Sequence, residues 1–359
     1  MSDVIVIGGG LSGLFVAREL TLAGAQVTLL ERGTVGCEAS WAGGGILSPL
    51  YPWRYCAAVN ALVRWSQDAY PALCAELAAS TGIDPQWMPC GMWLLDSHEF
   101  DTARDWAQRN ERSVERVTSA EMARRAPAIA APDGGVWLPH VSQVRNPRLL
   151  QALLADVRRR GVRVFENEGA GTVVVDGDRV RGVNTASGFY AAASVIVAAG
   201  AWSAPLLEAL GPRVSIFPVK GQMLLYRLPP GVLRAIVLGG GHYVVPRNDG
   251  RVLVGSTLEE TGFDKSTTDM ARRELAAAGA ALIPALGALE PERHWAGLRP
   301  GSPNGVPYIG AVASVAGLYI NAGHFRNGVV MGPAAARLAA DLVLGRPTNL
   351  DPAPYRPPL

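Results

Sequence analysis

Lysine is almost missing from this chain: of its 33 basic residues only Lys220 and Lys265 are lysines, so chemistry through a lysine imine has two candidates in 359 residues. Cysteine is scarce too. Cys37, Cys56, Cys74 and Cys90 form no CxxC pair, and their spacing matches no zinc pattern. The five histidines are scattered, with no HxxxH or HExxH, so no metal site is expected. Few, unpaired cysteines fit a reducing cytosol. Neither sign of charge dominates. A net charge of +2 argues against a nucleic-acid binder built on a basic surface. No apolar run approaches the roughly 20 residues of a membrane span. The nearest, "YAAASVIVAAGAW", reads as a buried strand ending in a turn. The N-terminus has no basic segment before an apolar one, so no signal peptide is expected. These absences together predict a cytoplasmic protein that handles small molecules, with no nucleic-acid or membrane partner.

What the chain does have is apolar mass and glycine. Hydrophobic residues make up 49% and charged residues 18%, enough for a sizeable core. The length suits two domains, or one large α/β unit with an insertion. The opening segment is the most informative. "DVIVIGGG" reads as a strand ending in glycines, and "LSGLFVARELTLAGA" as a helix with Leu14, Ala17, Leu20 and Leu22 on its apolar face. "QVTLLER" is a second strand that closes on Glu31. This is a βαβ unit carrying G-x-G-x-x-G at Gly8, Gly10 and Gly13. The glycines allow a tight turn, close approach of a pyrophosphate, and close helix–strand packing. The helix N-terminus offers free N–H groups and a positive dipole end to phosphates. Glu31 stands where a carboxylate accepts hydrogen bonds from ribose hydroxyls. The unit predicts an adenine dinucleotide.

Two features favour FAD over NAD. A second glycine-rich loop, Gly43 to Gly45, follows Glu31 by a dozen positions and suits a cofactor with another ring system. Further on, "NPRLLQALLADVRRRGVRVFENE" reads as a helix and a strand. A β-meander follows, with hairpin signals at Asp176-Gly177 and Ser187-Gly188. It leads to a buried strand, Val195 to Ala199, and then Gly200. The β-rich stretches "FPVKGQMLLYRL" and "HYVVPRNDGRVLVGST" look like a separate sheet threaded through the first unit. Near the C-terminus a strand from Leu318 to Asn321 leads to Gly323, and a helix is expected to open near Gly332, with Pro333 in its first turn. The proline-rich tail is expected to be ordered only by docking.

"VIVIGGGLSGLFVARELTLAGAQVTLLER", "HYVVPR", "HWAGLRPGSPNGVPYIG" and "NAGHFRNGVVMGPA" together resemble the D-amino-acid-oxidase-type flavoenzymes, over essentially the whole chain. Within them the chain most resembles the glycine oxidases of thiamine biosynthesis. The resemblance implies an α/β fold: a discontinuous Rossmann-like FAD-binding domain, and a second, mainly antiparallel β-sheet domain that roofs the flavin. The expected division is 1–85, 140–215 and 295–359 for the first, 86–139 and 216–294 for the second. It also implies oxidation of small amines and amino acids such as glycine, sarcosine and small D-amino acids. Hydride passes to flavin N5, an imine gives keto acid and ammonia, and oxygen is reduced to hydrogen peroxide. The glycine imine would feed thiazole synthesis. A homotetramer is implied as well.

The resemblance assigns Arg299 of the GLRP segment to the substrate carboxylate, assisted by Tyr243 of "HYVVPR". The physics agrees: a guanidinium is a planar two-donor fork that matches a carboxylate, and no acidic residue lies in that segment to pair with it. Arg326 matches a second active-site arginine, drawing in anions or binding carbonyls. Leu258 falls where the family has an apolar side chain over the flavin. If Tyr243 points at the flavin, strand alternation turns His242 away and puts Gly241 on the tyrosine's face. The implied FAD contacts are Gly8, Gly10, Leu11, Ser12, Gly13, Glu31, Arg32, Ser40, Trp41, Ala42, Gly43, Gly44, Gly45, Val173, Ala199, Gly200, Gly297, Arg299, His324, Arg326, Asn327 and Gly328. Trp41 either shields the flavin or packs its loop. No cysteine follows Cys90 and no histidine lies in "EASWAGGG", so FAD is expected to be held non-covalently. Rival readings are a dehydrogenase acting on D-amino acids, proline or sarcosine, and a cyanide-forming glycine dehydrogenase subunit, none of which uses oxygen. A nicotinamide dehydrogenase and a flavin-binding subunit with a structural role are the others.

Overall fold

The computed structural model describes residues 2–208, 210–211 and 214–358. Its first sheet grows from the opening βαβ unit. β1 (Ser2–Ile7) lies between β2 (Val27–Leu30) and β11 (Gly188–Val197), parallel to both. β8 (Arg163–Phe165) extends the sheet beyond β2, and β18 (Leu318–Ala322) then β17 (Tyr308–Ala311) extend it beyond β11. Parallel strands buried on both faces are apolar at nearly every position. β1 shows it: Val4 and Val6 belong to one core cluster, Ile5 and Ile7 to the other. α1 (Leu11–Leu22), α3 (Ala57–Thr81), α6 (Asn146–Arg159) and α9 (Gly328–Val343) cover the first face. The meander of β9 (Ala170–Asp176) and β10 (Arg179–Thr185) and the short α7 (Ser203–Glu208) cover the second. In α1 the buried apolar side chains are Leu11, Leu14, Phe15, Val16, Ala17 and Leu20. Leu22, expected among them, is exposed in the last turn.

The second sheet is mainly antiparallel, in the order β16-β12-β15-β14-β13-β4-β6-β5. Its longest pair is β12 (Phe217–Arg227) with β16 (Arg293–Gly301), which forms one edge of the sheet. β15 (Arg251–Gly255), β14 (His242–Pro246), β13 (Ile236–Gly239), β4 (Met92–Leu94), β6 (Gly135–Leu138) and β5 (Glu115–Val117) complete it. α8 (Asp269–Leu282) packs on one face through Leu275 and Leu282. Alternation sends Val244 to that face and Tyr243 and Val245 to the other. The expected boundary at 294/295 cuts β16, which pairs with β12 along its whole length. The boundary at 139/140 is bridged by the pairing of β3 (Met88–Pro89) with β7 (Ser142–Gln143).

α9 begins four residues before the expected start, and Pro333 lies inside it. An interior proline takes away one N–H and pushes against the carbonyl four residues back, here that of Val329. α3 supplies the repair: the Tyr70 hydroxyl donates to the Val329 carbonyl at 2.5 Å, and Ser66 Oγ accepts from Ala334 N at 3.0 Å. Tyr70→Phe should orphan that carbonyl and cost about 1–2 kcal/mol, read as a lower urea midpoint with an unchanged m-value. An unchanged midpoint would assign Tyr70 to packing alone. The tail docks as expected, with Tyr355 buried and its hydroxyl on the Ala58 carbonyl at 2.8 Å.

Candidate active site

Between the two sheets lies a cavity of about 390 Å³. One end is built by the βαβ unit. Gly8 has a φ of 110°, which a side chain would strain, and a Cβ there would lie 2.5 Å from the Ala198 carbonyl. A Cβ on Gly13 would lie 1.9 Å from the Gly8 carbonyl, so Gly13 serves helix–strand contact and does not line the cavity. Gly10 leads the chain into α1, whose N-terminus faces the cavity. Glu31 accepts from Gly9 N at 2.7 Å and Gly33 N at 2.9 Å, which fixes its carboxylate on the cavity wall. At the C-terminal side, the turn carrying His324, Arg326 and Asn327 closes over the N-terminus of α9. His324 Nε2 and Asn327 Nδ2 are buried there without a protein partner. Burial pushes the His324 pKa down to about 4, so its ring is neutral at pH 7.

The glycine loop, 43–45, lies on the cavity floor, held by residues far away in sequence. Asn146 Nδ2 donates to the Ser40 and Gly43 carbonyls at 2.9 and 3.1 Å. Arg247 is buried, has no carboxylate within salt-bridge distance among the described residues, and donates to the Gly44 carbonyl at 2.9 Å, the Val144 carbonyl at 3.0 Å and Gln143 Oε1. Burial lowers the Arg247 pKa to about 10, which leaves it charged. Trp295 Nε1 donates to the Ala42 carbonyl at 3.1 Å, and its ring meets Trp41 edge-on at 5.8 Å. Trp41 thus packs the loop and does not line the cavity. Gly297 lets the loop's short helix approach β16: a Cβ on it would lie 2.5 Å from that of Ala42.

Arg299 stands at the other end, on β16. Its register partner on β12 is Val219, and its diagonal neighbour is Gly221. The guanidinium lies flat on that glycine, where a Cβ would be 2.1 Å from Nη1. Nη2 donates to Ser256 Oγ at 2.7 Å and Nη1 to the Thr257 carbonyl at 3.2 Å. Burial lowers its pKa; Tyr243 opposes the shift and Arg326 adds to it. Among the described residues, neither Arg299 nor Arg326 has a carboxylate within salt-bridge distance. The nearby Glu259 is instead bound to Lys220 Nζ at 3.2 Å and Gln222 Nε2 at 2.9 Å. The Tyr243 ring is wedged between Gly44 and Gly255, with its hydroxyl 3.3 Å from Met223 Sδ. His242 points the opposite way, 3.4 Å from Glu274. Gly241 does not share the tyrosine's face, because Gly240 and Gly241, with φ of 56° and 78°, form the β13–β14 turn.

Most of the expected contacts line this one cavity; four do not. Besides Gly13 and Trp41, Val173 is packed in the second core cluster, and Gly169 and Ala170 line the cavity in its place. Leu258 is 58% exposed and outside the lining. Past Gly255 the alternating side chains of Thr257 and Glu259 turn inward to Gln222 and Lys220, which sends Leu258 out. Trp202, Gly221 and Met223 line the cavity and were not anticipated. Of these, Gly221 carried a signal, since a glycine inside a strand marks close approach of another group.

The cavity suits a dinucleotide: a glycine cradle at a helix N-terminus, a fixed carboxylate, and two buried side-chain nitrogens, one of His324 and one of Asn327, without a partner among the described residues. The sequence matches the family of FAD dependent oxidoreductases called DAO over residues 3–342. The chain belongs to that family, and its cofactor is FAD. It is 49% identical over 356 residues to a glycine oxidase of Pseudomonas aeruginosa, covering 99% of this chain and 98% of that one. The crystal structure of glycine oxidase from Geobacillus kaustophilus superposes with a TM-score of 0.95 at 30% identity, over 99% of this chain and 98% of that one. A bifunctional ThiO/ThiG protein of Trichormus variabilis is 30% identical over 95% of this chain, which spans 52% of that protein. Among the described residues no helix is long and apolar enough to cross a membrane.

Proposed function

We propose that this enzyme oxidises glycine and other small amines or amino acids, such as sarcosine and small D-amino acids. Glycine, oxygen and water would give glyoxylate, ammonia and hydrogen peroxide. One observation carries the reading: Arg299 presents a half-buried guanidinium, with no carboxylate within salt-bridge distance among the described residues, beside Tyr243 in the cavity that fits FAD. A cation taken out of water is costly unless paired. A substrate carboxylate pairs it with two parallel charge-assisted hydrogen bonds. Arg326 adds a second positive charge that draws anions in. Ile46, Leu50 and Met223 wall the same region with apolar atoms, which favours a small substrate.

The lining carboxylates, Glu31 and Glu38, belong to the nucleotide-binding end, and His324, its pKa pushed down to about 4 by burial, is too weak a base to hold the substrate's proton. The Arg299 end therefore offers no side-chain base, and the substrate reacts as its neutral amine. The chain's part is to fix the carboxylate with Arg299, steady it with Tyr243 and exclude water; orientation of this kind supplies roughly 7–11 kcal/mol. FAD, once bound, would supply the hydride acceptor and the redox link to oxygen. The likeness to the ThiO/ThiG protein supports a supply of glycine imine to thiazole synthesis.

The test is to mix the FAD-loaded protein anaerobically with glycine, sarcosine, D-alanine and D-proline, follow loss of the visible flavin band, then admit air. Bleaching by glycine with prompt peroxide is expected. Bleaching that oxygen does not reverse would make the protein a dehydrogenase, and no bleaching by any of the four would overturn the substrate class.

A further inference from the structure

Both lysines of the chain hold one segment that the proposed chemistry does not use: Lys265 lies in it, and Lys220 lies beside it on β12. After β15 the chain leaves the second sheet and runs exposed to the start of α8. Its two feet are anchored on β12. Near the first, Glu259 and Lys220 exchange backbone hydrogen bonds at 2.9 and 3.0 Å. The Lys220 side chain, 1% exposed, reaches Glu259 and Asp264 at 3.2 Å and the Ser266 carbonyl at 3.2 Å. Burial alone would lower its pKa, but the bonds to Asp264 and Glu259 hold it above the ordinary lysine value. At the second foot, Thr268 N donates to Gln222 Oε1 at 3.0 Å.

Between the feet the segment crosses to the first sheet. Phe263, 45% exposed, stacks on Trp202 with centroids 5.3 Å apart and planes at 30°. Lys265 Nζ binds both oxygens of Glu38, at 3.0 and 3.1 Å. Arg32 joins the two contacts: it pairs with Glu38 at 3.1 Å, and its guanidinium lies 3.6 Å from the Trp202 ring centre. Arg32, Glu38 and Trp202 line the cavity, together with Glu31; Phe263 and Lys265 do not. The segment therefore ties the second sheet to the wall of the nucleotide-binding end, from outside.

We propose that segment 257–268 is a strap that retains bound FAD, with Phe263 and Lys265 as its positioning residues and Lys220 as its buried anchor. Phe263 and Lys265 hold Trp202 and Glu38 against the cofactor without touching it. For the dinucleotide to leave, that wall must swing out, which breaks the aromatic stack and the ion pair together. A stack and an exposed ion pair are jointly worth about a tenfold change in rate.

The test is FAD release from the FAD-loaded protein. Wild type, Phe263→Ala, Lys265→Met and the double variant are diluted into FAD-free buffer, and the rise in flavin fluorescence is followed. In parallel, the FAD-free proteins are melted. The double variant is expected to release FAD about tenfold faster than wild type, with the melting of the FAD-free protein unchanged. Added salt should speed release from wild type more than from Lys265→Met, which keeps only the exposed Arg32–Glu38 pair to be screened. Release from the double variant at the wild-type rate would overturn the strap. Faster release matched by an equal loss of stability in the FAD-free protein would also overturn it, leaving ordinary packing as the role of these contacts. Phe263 and Lys265 are both exposed, so neither replacement threatens folding.

Discussion

Replacing Arg299 by alanine is expected to raise the glycine KM by at least about tenfold while FAD stays bound. Hydrogen bonds to a charged group contribute about 1.5–3 kcal/mol, which is roughly 10- to 150-fold in binding. FAD should stay because the glycine cradle, Glu31 and the loop 43–45 lie on other elements and take no hydrogen bond from Arg299. The loss should be specific for the carboxylate: a small amine without one should be oxidised as poorly by the wild type as by the variant. Arg299→Lys should recover only part of the affinity, because a point charge cannot form the two parallel bonds. Steady-state kinetics with glycine and with a carboxylate-free amine check this. Unchanged kinetics in Arg299→Ala would assign the arginine to structure.

The second large effect is expected at a residue that carries no chemistry. Gly221→Ala places a Cβ about where the Arg299 guanidinium now lies, 2.1 to 2.3 Å from its Nη1, Nη2 and Cζ atoms. β16 is the edge strand but is paired with β12 along its whole length, and β12 is held by β15 on its other side, so the side chain is expected to yield before the backbone. The arginine would lose Ser256 and the Thr257 carbonyl and leave the carboxylate position. The glycine KM should therefore rise about tenfold or more, by the same loss of charge-assisted bonds as in Arg299→Ala. The double variant should be no worse than either single one, because residues acting through one contact are not additive. Additive losses would show that Gly221 acts on the site by another route.

Legibility differed from one part of the chain to the next. The βαβ unit could be read because its chemistry is local. Gly8, Gly10, Gly13 and Glu31 are close in sequence, and each is required by backbone geometry within one strand–helix–strand turn. Arg299 and Tyr243 were singled out by residue type and resemblance, and strand alternation oriented Tyr243 and His242 correctly. The start of α9 was misplaced because proline normally marks a first turn. Only the approach of α3, with Tyr70 and Ser66 in place to satisfy the broken backbone, lets Pro333 sit inside the helix. Leu258 and Val173 failed for a related reason. A position's place in a motif does not say which way the chain turns after its strand ends.

The sequence by itself determined the dinucleotide cradle, the two sheets and an arginine set in a segment without acids. These follow from local backbone rules and from which residue types stand near one another in the chain. Only the tertiary structure decided what holds the cradle and the clamp in place. Asn146 and Arg247 reach the glycine loop from more than a hundred residues away, Gly221 makes room for Arg299 from another strand, and Lys220 and Lys265 pin a segment across the two sheets. Buried polar groups must be satisfied by whichever residues the fold brings within hydrogen-bonding reach. Spacing along the chain carries no record of those partners.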